Sequence, residues 1–403
     1  MKSHVASFWV ALAGAGLPAA FALAGPLGLP PVPVPADNPM TAEKIALGSA
    51  LFNDKRFSST GEVSCATCHD PAKAFTDSPR KTSEGIRKLT GTRNAPTVVN
   101  AAYFDKQFWD GRSVSLEDQS QHPFVNPVEM GLPDHEPILK IVRTDAAYAD
   151  MFRKGFGIEP AAITMEHVKM AIATFERTVV GGDSPFDRWY FGGDKTAMSE
   201  AAVRGFQVFL GDGRCVSCHV IEQDQAIFSD NRFHNVGVGM NRIQDRVPDL
   251  APKFLEAKAR GMDVDVKVLT DPDSSELGRF AVTDGLDELG AFKTPTLRNV
   301  AVTAPFMHDG SLATLRDVVV HYNNGGVTNK GEPVNDYLSG GIRPLNLTEE
   351  QISDLVAFME ALTSPQFAKS ATTASIGGPS ACNLKSPAPA ATATALASAG
   401  VQP

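Results

Sequence analysis

Cys65-Ala66-Thr67-Cys68-His69 and Cys215-Val216-Ser217-Cys218-His219 carry the strongest chemical signal in the chain. Two thiols at this spacing can add to the vinyl groups of a porphyrin, and the imidazole that follows directly is then carried under the iron as its proximal ligand. Each copy therefore predicts one covalent c-type haem. A zinc ribbon or a redox dithiol also uses CxxC, but neither accounts for a histidine directly after both copies. The copies lie too far apart for a tandem multihaem wire. Each haem is expected in its own domain, with the chemistry between them.

The elements that must hold these motifs read as helices. Thr41 can cap a helix in which Ile45, Leu47, Leu51 and Phe52 recur at helical spacing and lead into the first motif. Ser199 to Leu210, with Val203, Phe206, Val208 and Phe209, mirrors it before the second motif and predicts two related, mainly α domains. Ile138 to Phe152 and Ile163 to Val180 carry apolar residues at three- and four-residue steps, and Gly181-Gly182-Asp183-Ser184-Pro185 stops the latter. Leu347-Thr348-Glu349-Glu350 is a capped helix start. No strand-rich region emerges; Val264 to Leu269 is the most extended piece expected. The division reads as 36–190 and 191–365, each with one haem. The proline-rich residues 25–35 are expected to be a floppy or polyproline-like spacer, and 366–403 a low-complexity tail without the apolar density to fold.

At 403 residues the chain suits two such domains, and a net charge of -9 gives no reason to expect nucleic acid or an anionic membrane surface as partner. Residues 1–24 read as a signal peptide: Lys2, an apolar run from Val5 to Leu23, then Ala22-Leu23-Ala24 for cleavage. The expected address is the periplasm, where covalent haem attachment is completed, with no membrane span after cleavage. A retained anchor is the alternative, weakened by the small residues and Pro18. Of five cysteines the haem motifs take four. Cys382 is left as a stray thiol in the tail, which excludes a disulfide within one molecule.

Together with the two motifs, Arg93-Asn94-Ala95-Pro96-Thr97, Phe108-Trp109-Asp110-Gly111-Arg112 and Leu297-Arg298-Asn299-Val300-Ala301-Val302-Thr303-Ala304-Pro305 resemble the bacterial di-haem cytochrome c peroxidase and MauG family, over roughly Asn38 to Ser364. The resemblance implies two cytochrome c-like domains, the first reactive with hydrogen peroxide and the second an electron-transfer domain. In the family's standard peroxidases a second histidine follows the first motif and must leave before peroxide binds. Asp70 to Gln121 contains none, which predicts an iron position open from the start. His122 and His135 are the rivals, and otherwise plain loop histidines. Asp70-Pro71 and Ala74-Phe75-Thr76-Asp77 resemble the MauG-like, MbnH-like branch.

Matched to the family pattern, Gln119, Pro123 and Glu129 fall at its peroxide-site positions. Peroxide cleavage needs a base that takes a proton from the near oxygen and returns it to the departing one, a task for Glu129 with Gln119 orienting. On its own Glu129 would be one more surface carboxylate. Trp109 matches the tryptophan between the haems, an electron bridge or a packed aromatic. Asn94, by its side chain, and Thr303 and Pro305, by their carbonyls, match an inter-haem calcium site, as hard oxygen ligands suit calcium; otherwise they form a polar turn. At the family's interval from His308, where the peroxidases place a methionine ligand, stands Tyr322, as in MauG. An anionic phenolate stabilises higher oxidation states. Met307 and Met359 are rival ligands. Arg298 is expected to pair a haem propionate, and His234 and His308 to be structural or to hydrogen-bond a haem edge, while His321 precedes Tyr322 without evident duty. Trp189 and Tyr190 read as a route for holes to the surface or as an aromatic hinge.

The resemblance thus implies a periplasmic di-haem c oxidoreductase that uses hydrogen peroxide to oxidise a partner protein, including tryptophan modification, through a two-haem high-valent state. Two alternatives stay open. One is a cytochrome c peroxidase fed by a small redox protein; the other is an electron-transfer cytochrome, which would need both irons six-coordinate.

Overall fold

The computed structural model describes residues 25–369. The signal peptide, nearly all of the tail and Cys382 lie outside the described residues.

Two pairs of crossing helices frame the molecule. Ala42–Asn53, capped by Thr41 Oγ1 accepting from the Lys44 amide at 3.2 Å, leads into the first haem motif and crosses Met165–Glu176. Gly48 sets their approach, since a Cβ there would collide with the Ala171 carbonyl. In the second half Glu200–Leu210 crosses Glu349–Glu360, and a Cβ on Gly205 would meet the Asp354 carbonyl in the same way. The mirror read from the two leading helices therefore extends to the closing helices. Gly48→Ala and Gly205→Ala should each destabilise the fold by about 3 kcal/mol, the scale of overpacked cores. The urea midpoint checks this; an unshifted midpoint would mean the helices separate freely.

Each pair buries its own apolar cluster: Leu47, Phe52, Phe124, Ile138, Val168 and Ile172 in the first half, Phe206, Phe209, Leu355, Phe358 and Leu362 in the second. Pro185–Tyr190, on the first side of the division expected at residue 190, buries Phe186 in the second cluster. Ile138 to Phe152 is two helices, Glu136–Thr144 and Ala146–Phe156, broken where Asp145 caps the second.

A third cluster, around Met240, Phe254, Leu277 and Phe280, has no counterpart in the sequence reading. It leaves and rejoins the second half at the antiparallel pair Phe233–His234 and Phe292–Lys293, the one sheet among the described residues. Val264–Thr270 within it is a helix and not an extended piece: Asp263 accepts from the Val266 amide, and tertiary packing of Val268 and Leu269 overrides the β-branched run. This excursion leans on the first half. Val128 packs against its cluster, and Asp265 accepts from Arg112 Nε at 2.7 Å and Asn126 Nδ2 at 2.8 Å.

Residues 25–35 are not a floppy spacer. Leu29 is 8% exposed, and carbonyls that a proline-rich chain cannot pair within itself are taken up by both halves. Tyr103 Oη donates to Pro30 O at 3.0 Å, Arg177 Nε to Pro33 O at 3.2 Å and Arg298 Nη2 to Gly28 O at 2.6 Å. Gly28 has φ +85°, and a Cβ would strike the Asp187 carboxylate.

The halves correspond again beyond the haem motifs. Asn100 and Asn299 are both left-handed, with φ 66° and 63°, and each is followed by a 3-10 turn, Ala101–Tyr103 or Val300–Val302. Phe108 and Met307 have φ 64° and 72°, and Gly111 and Gly310 have φ 68° and 64°. The bridges Gln107 to Ser113 and Phe306 to Leu312 keep the register into the helices Leu116–Val125 and Leu315–Asn323. In that register Trp109 answers to His308, and Pro123 to Tyr322.

Candidate functional site

Two cavities flank Trp109, which lines both and donates from Nε1 to the Asn94 carbonyl at 2.9 Å. The first, about 150 Å³, is bounded by Cys65, Cys68 and His69 together with Gln119, Pro123 and Glu129. The second, about 700 Å³, is bounded by Cys215, Cys218 and His219 together with Tyr322, Met307 and Met359. The structure thus brings each far-side candidate to the cavity of its own CxxCH motif.

The motif residues fit covalent haem. His69 Nδ1 lies 3.2 Å from Phe75 O and His219 Nδ1 lies 2.8 Å from Phe228 O. A carbonyl only accepts, so each Nδ1 carries the proton and Nε2 is left bare to bind iron. Burial lowers both imidazole pKa values and keeps them in the neutral, ligating form. Burial also pushes the Cys68 and Cys215 thiols up to about 12, a poor state for a redox dithiol and immaterial for a thioether. A zinc site at the first motif lacks ligands: among the described residues the one metal-capable cluster is Cys218, Asp230 and His234, beside the second.

Next to Trp109, Asp110 is buried between Arg93 and Arg112, at 2.6 and 3.0 Å. Burial would raise its pKa, but the two guanidiniums outweigh it and hold the carboxylate well below the ordinary range. Arg112 continues to Asp265 at 2.7 Å. Glu129 lies under this network. Its pKa is pushed up to about 7, by burial first and then by Asp265, with Arg112 opposing. A carboxylate with proton affinity near neutrality is suited to take and return a proton. Its backbone is fixed as well, with Glu129 O accepting from Ile86 N at 2.8 Å.

His122 and His135 do not line the first cavity. His122 stands edge-on to Phe108, and His135 Nε2 is 3.1 Å from Gln121 O. Pro123 offers that cavity no ligand atom. At the matching place Tyr322 offers the second cavity a phenol, whose pKa is raised by burial and then by Cys218 and Cys215, so only a cation drawing on its oxygen would ionise it. Met307 and Met359 share that cavity with it.

Asn94, Thr303 and Pro305 line the second cavity together. Asn94 Nδ2 donates to Arg80 O at 3.4 Å and Lys81 O at 3.1 Å. On the same loop Asp77 is 4% exposed, and neither carboxylate oxygen has a partner among the described residues. An orphaned buried carboxylate is the kind of oxygen donor that a hard cation takes. Arg298 differs from expectation. Its guanidinium is closed on Asp187 at 2.8 and 2.9 Å, Gly28 O and Ala226 O, so it braces the second half and residues 25–35 and is not directed to a propionate. His308 stacks on Phe292 at 3.6 Å and meets Glu276 at 2.7 Å; His234 meets Asp230 at 2.8 Å; His321 meets Val236 O at 2.8 Å. Trp189 and Tyr190 pack on Phe206 in the aromatic wall of the second cluster.

Two cavity residues went unread in the sequence. Glu176 lines the first cavity, and Lys293 lines the second with Nζ donating to Lys106 O at 2.9 Å and burial pushing it down to about 7. Glu176 was detectable as an acid on the apolar stripe of Val168, Ile172 and Val179. Lys293 offered no comparable signal.

Known proteins share this arrangement. Residues 42–196 match the sequence profile of di-haem cytochrome c peroxidases. The chain is 40% identical over 376 residues to the cytochrome-c peroxidase IdrP1 of Denitromonas iodatirespirans, covering 89% of this chain and 94% of that one. It is 36% identical over 331 residues to the methylamine utilization protein MauG of Methylorubrum extorquens, covering 82% and 81%. Among solved structures, a MauG-like protein associated with microbial copper homeostasis superposes with a TM-score of 0.67 at 33% identity, covering 85% of this chain and 97% of that one. Identity at this level along nearly the whole length, with both haem motifs set on their own cavities, places the chain in the di-haem cytochrome c peroxidase and MauG family, whose members are peroxide-using oxidoreductases.

Proposed function

We propose that this protein is a MauG-like oxidase of the periplasm, which uses hydrogen peroxide at the first haem and oxidises a partner protein by way of the second. The observation that carries the reading is the matched pair Pro123 and Tyr322, equivalent places on equivalent helices. One cavity receives a residue that cannot ligate and the other a phenol. The haems supply the redox equivalents when bound; the chain does the rest. Cys65, Cys68 and His69 hold one haem, and Cys215, Cys218 and His219 the other. Gln119 orients peroxide, Glu129 moves its proton from one oxygen to the other, and Pro123 keeps the approach clear. The Tyr322 phenolate favours the oxidised form of the second haem. Trp109, on the wall between the cavities, carries electrons across. Asn94, Thr303 and Pro305, with Asp77 nearby, hold calcium there. The Met1 to Ala24 leader exports the chain.

The ferric protein should show one high-spin five-coordinate haem and one low-spin haem, read by electron paramagnetic resonance and absorption. Two low-spin signals at neutral pH would sink the open first site. A cytochrome c peroxidase fed by a small redox protein is the second reading, supported by relatives that carry that name. Steady-state turnover with reduced cytochrome c separates the two. Rapid turnover favours the peroxidase, and its absence alongside single-turnover oxidation of a partner tryptophan favours the oxidase. The modified partner is identified by the mass it gains or loses.

A further inference from the structure

A carboxyl in the first half occupies the place that a methionine holds in the second. Gly48 meets Phe175 Cβ, and Gly205 meets Phe358 Cβ, at an ideal-Cβ separation of 2.8 and 2.9 Å, so the next residues, Glu176 and Met359, correspond. Each lines the cavity of its own half. A thioether suits an apolar wall. Glu176 does not: it is 6% exposed, and its Oε2 has no partner among the described residues. The repeat shows that methionine packs at this crossing, so packing does not account for the acid.

Among the described residues, the cations near it are engaged elsewhere. Arg177, the next residue, closes Nη1 and Nη2 on the Glu117 carboxylate at 2.6 and 3.0 Å and Nε on Pro33 O. Glu117, from Leu116–Val125, therefore faces Glu176 as a like charge. Lys44, from Ala42–Asn53, donates Nζ to Asn38 Oδ1 at 3.2 Å. Cys65, from the motif itself, becomes a neutral thioether. Burial, outweighing Arg177, pushes the Glu176 carboxyl up to about 8, with Glu117 adding. The Glu176 carboxyl therefore holds a proton more tightly than an ordinary glutamate does, in the wall of the cavity bounded by Cys65, Cys68 and His69.

We propose that Glu176 is a redox-linked proton site of the first haem. In the alkaline range where Glu176 is ionised, when one electron from a reduced donor takes that iron from ferric to ferrous, the carboxylate takes one proton from solvent and forms one O–H bond. Reoxidation returns the electron to an acceptor and the proton to solvent. The linkage rests on the haem assignment made above. Its sign follows from charge: the anion favours ferric iron, so the midpoint potential of the first haem falls as pH rises through the alkaline window in which Glu176 ionises.

Spectroelectrochemical titration of the holoprotein from acid to alkaline pH tests this on wild type, Glu176→Gln, Glu176→Met and Glu129→Gln. The methionine variant copies a residue that the repeat already packs at this crossing. The wild-type first-haem midpoint should fall with pH. Both Glu176 variants should lose the alkaline part of that fall, Glu129→Gln should keep it, and the second haem should be unaffected throughout. An unchanged alkaline slope in both Glu176 variants would overturn the linkage. Absence of a first-haem transition in every protein would overturn the haem assignment instead.

Discussion

Tyr322→Phe should leave the reaction of the first haem with peroxide at its wild-type rate while abolishing partner oxidation. The phenol lines the second cavity with Cys215, Cys218 and His219, and burial raises its proton affinity, so only a cation at its oxygen would ionise it. On the proposed ligation, iron held by His219 would be that cation. An anionic oxygen there would stabilise oxidised iron, so its removal would raise the second haem's potential and leave the second oxidising equivalent without a stable home. Losing even about 1.4 kcal/mol of that stabilisation shortens the lifetime of the two-equivalent state by about tenfold. Rapid mixing with stoichiometric peroxide reads both rates. An unaltered low-spin second haem with the same lifetime would pass the ligand role to Met307 or Met359, which share the cavity, and would move the cytochrome c peroxidase reading ahead.

Glu129→Gln should retain both haems and slow the peroxide reaction by roughly 10²-fold or more, the usual worth of a positioned general base. The pH profile is the sharper test. A base works ionised, and this one has its pKa pushed up to about 7, so the wild-type rate should fall as pH drops through neutrality and level off above it. The amide has no such proton to lose, so the acid limb should vanish from the variant. Unaltered kinetics and an unaltered profile would remove Glu129 from the mechanism.

The fold was legible in the sequence wherever one helix carried the whole signal. Thr41, Ser199 and Thr348 cap helices where their types suggested, whereas the helix expected to run to Val180 ends at Glu176, ahead of Gly181, and Pro185 opens the next one. What could not be read depends on contacts between distant segments. Residues 25–35 read as a spacer because prolines lack local partners; their partners are Tyr103, Arg177 and Arg298, far along the chain. Val264 to Leu269 read as extended because its β-branched residues were weighed without the cluster that buries Val268. In the site, Gln119, Pro123 and Glu129 were reached only through resemblance, since a lone glutamate, glutamine or proline announces no chemistry. The correspondence of Pro123 with Tyr322 was present at constant spacing but unaligned. It became visible once Asn100 and Asn299, and Gly111 and Gly310, took the same left-handed turns.

The excursion between Phe233 and Phe292 bears on whether the halves are separable. Asp265, from that excursion, receives Arg112 and helps to raise the proton affinity of Glu129, while Ser275 receives Arg93 at 3.1 Å through Nε and at 2.8 Å through Nη2. The chemistry of the first half is therefore tuned by residues encoded after the second haem motif. A fragment ending near residue 190 would keep Cys65, Cys68 and His69 but would leave Arg93 and Arg112 short of partners in a buried place. Val128 would be exposed where the excursion's apolar cluster now packs against it, and Glu129 would lose the influence of Asp265. The two halves thus repeat one pattern without being independent, since removing the excursion takes away Asp265 and with it part of what sets the acidity of Glu129.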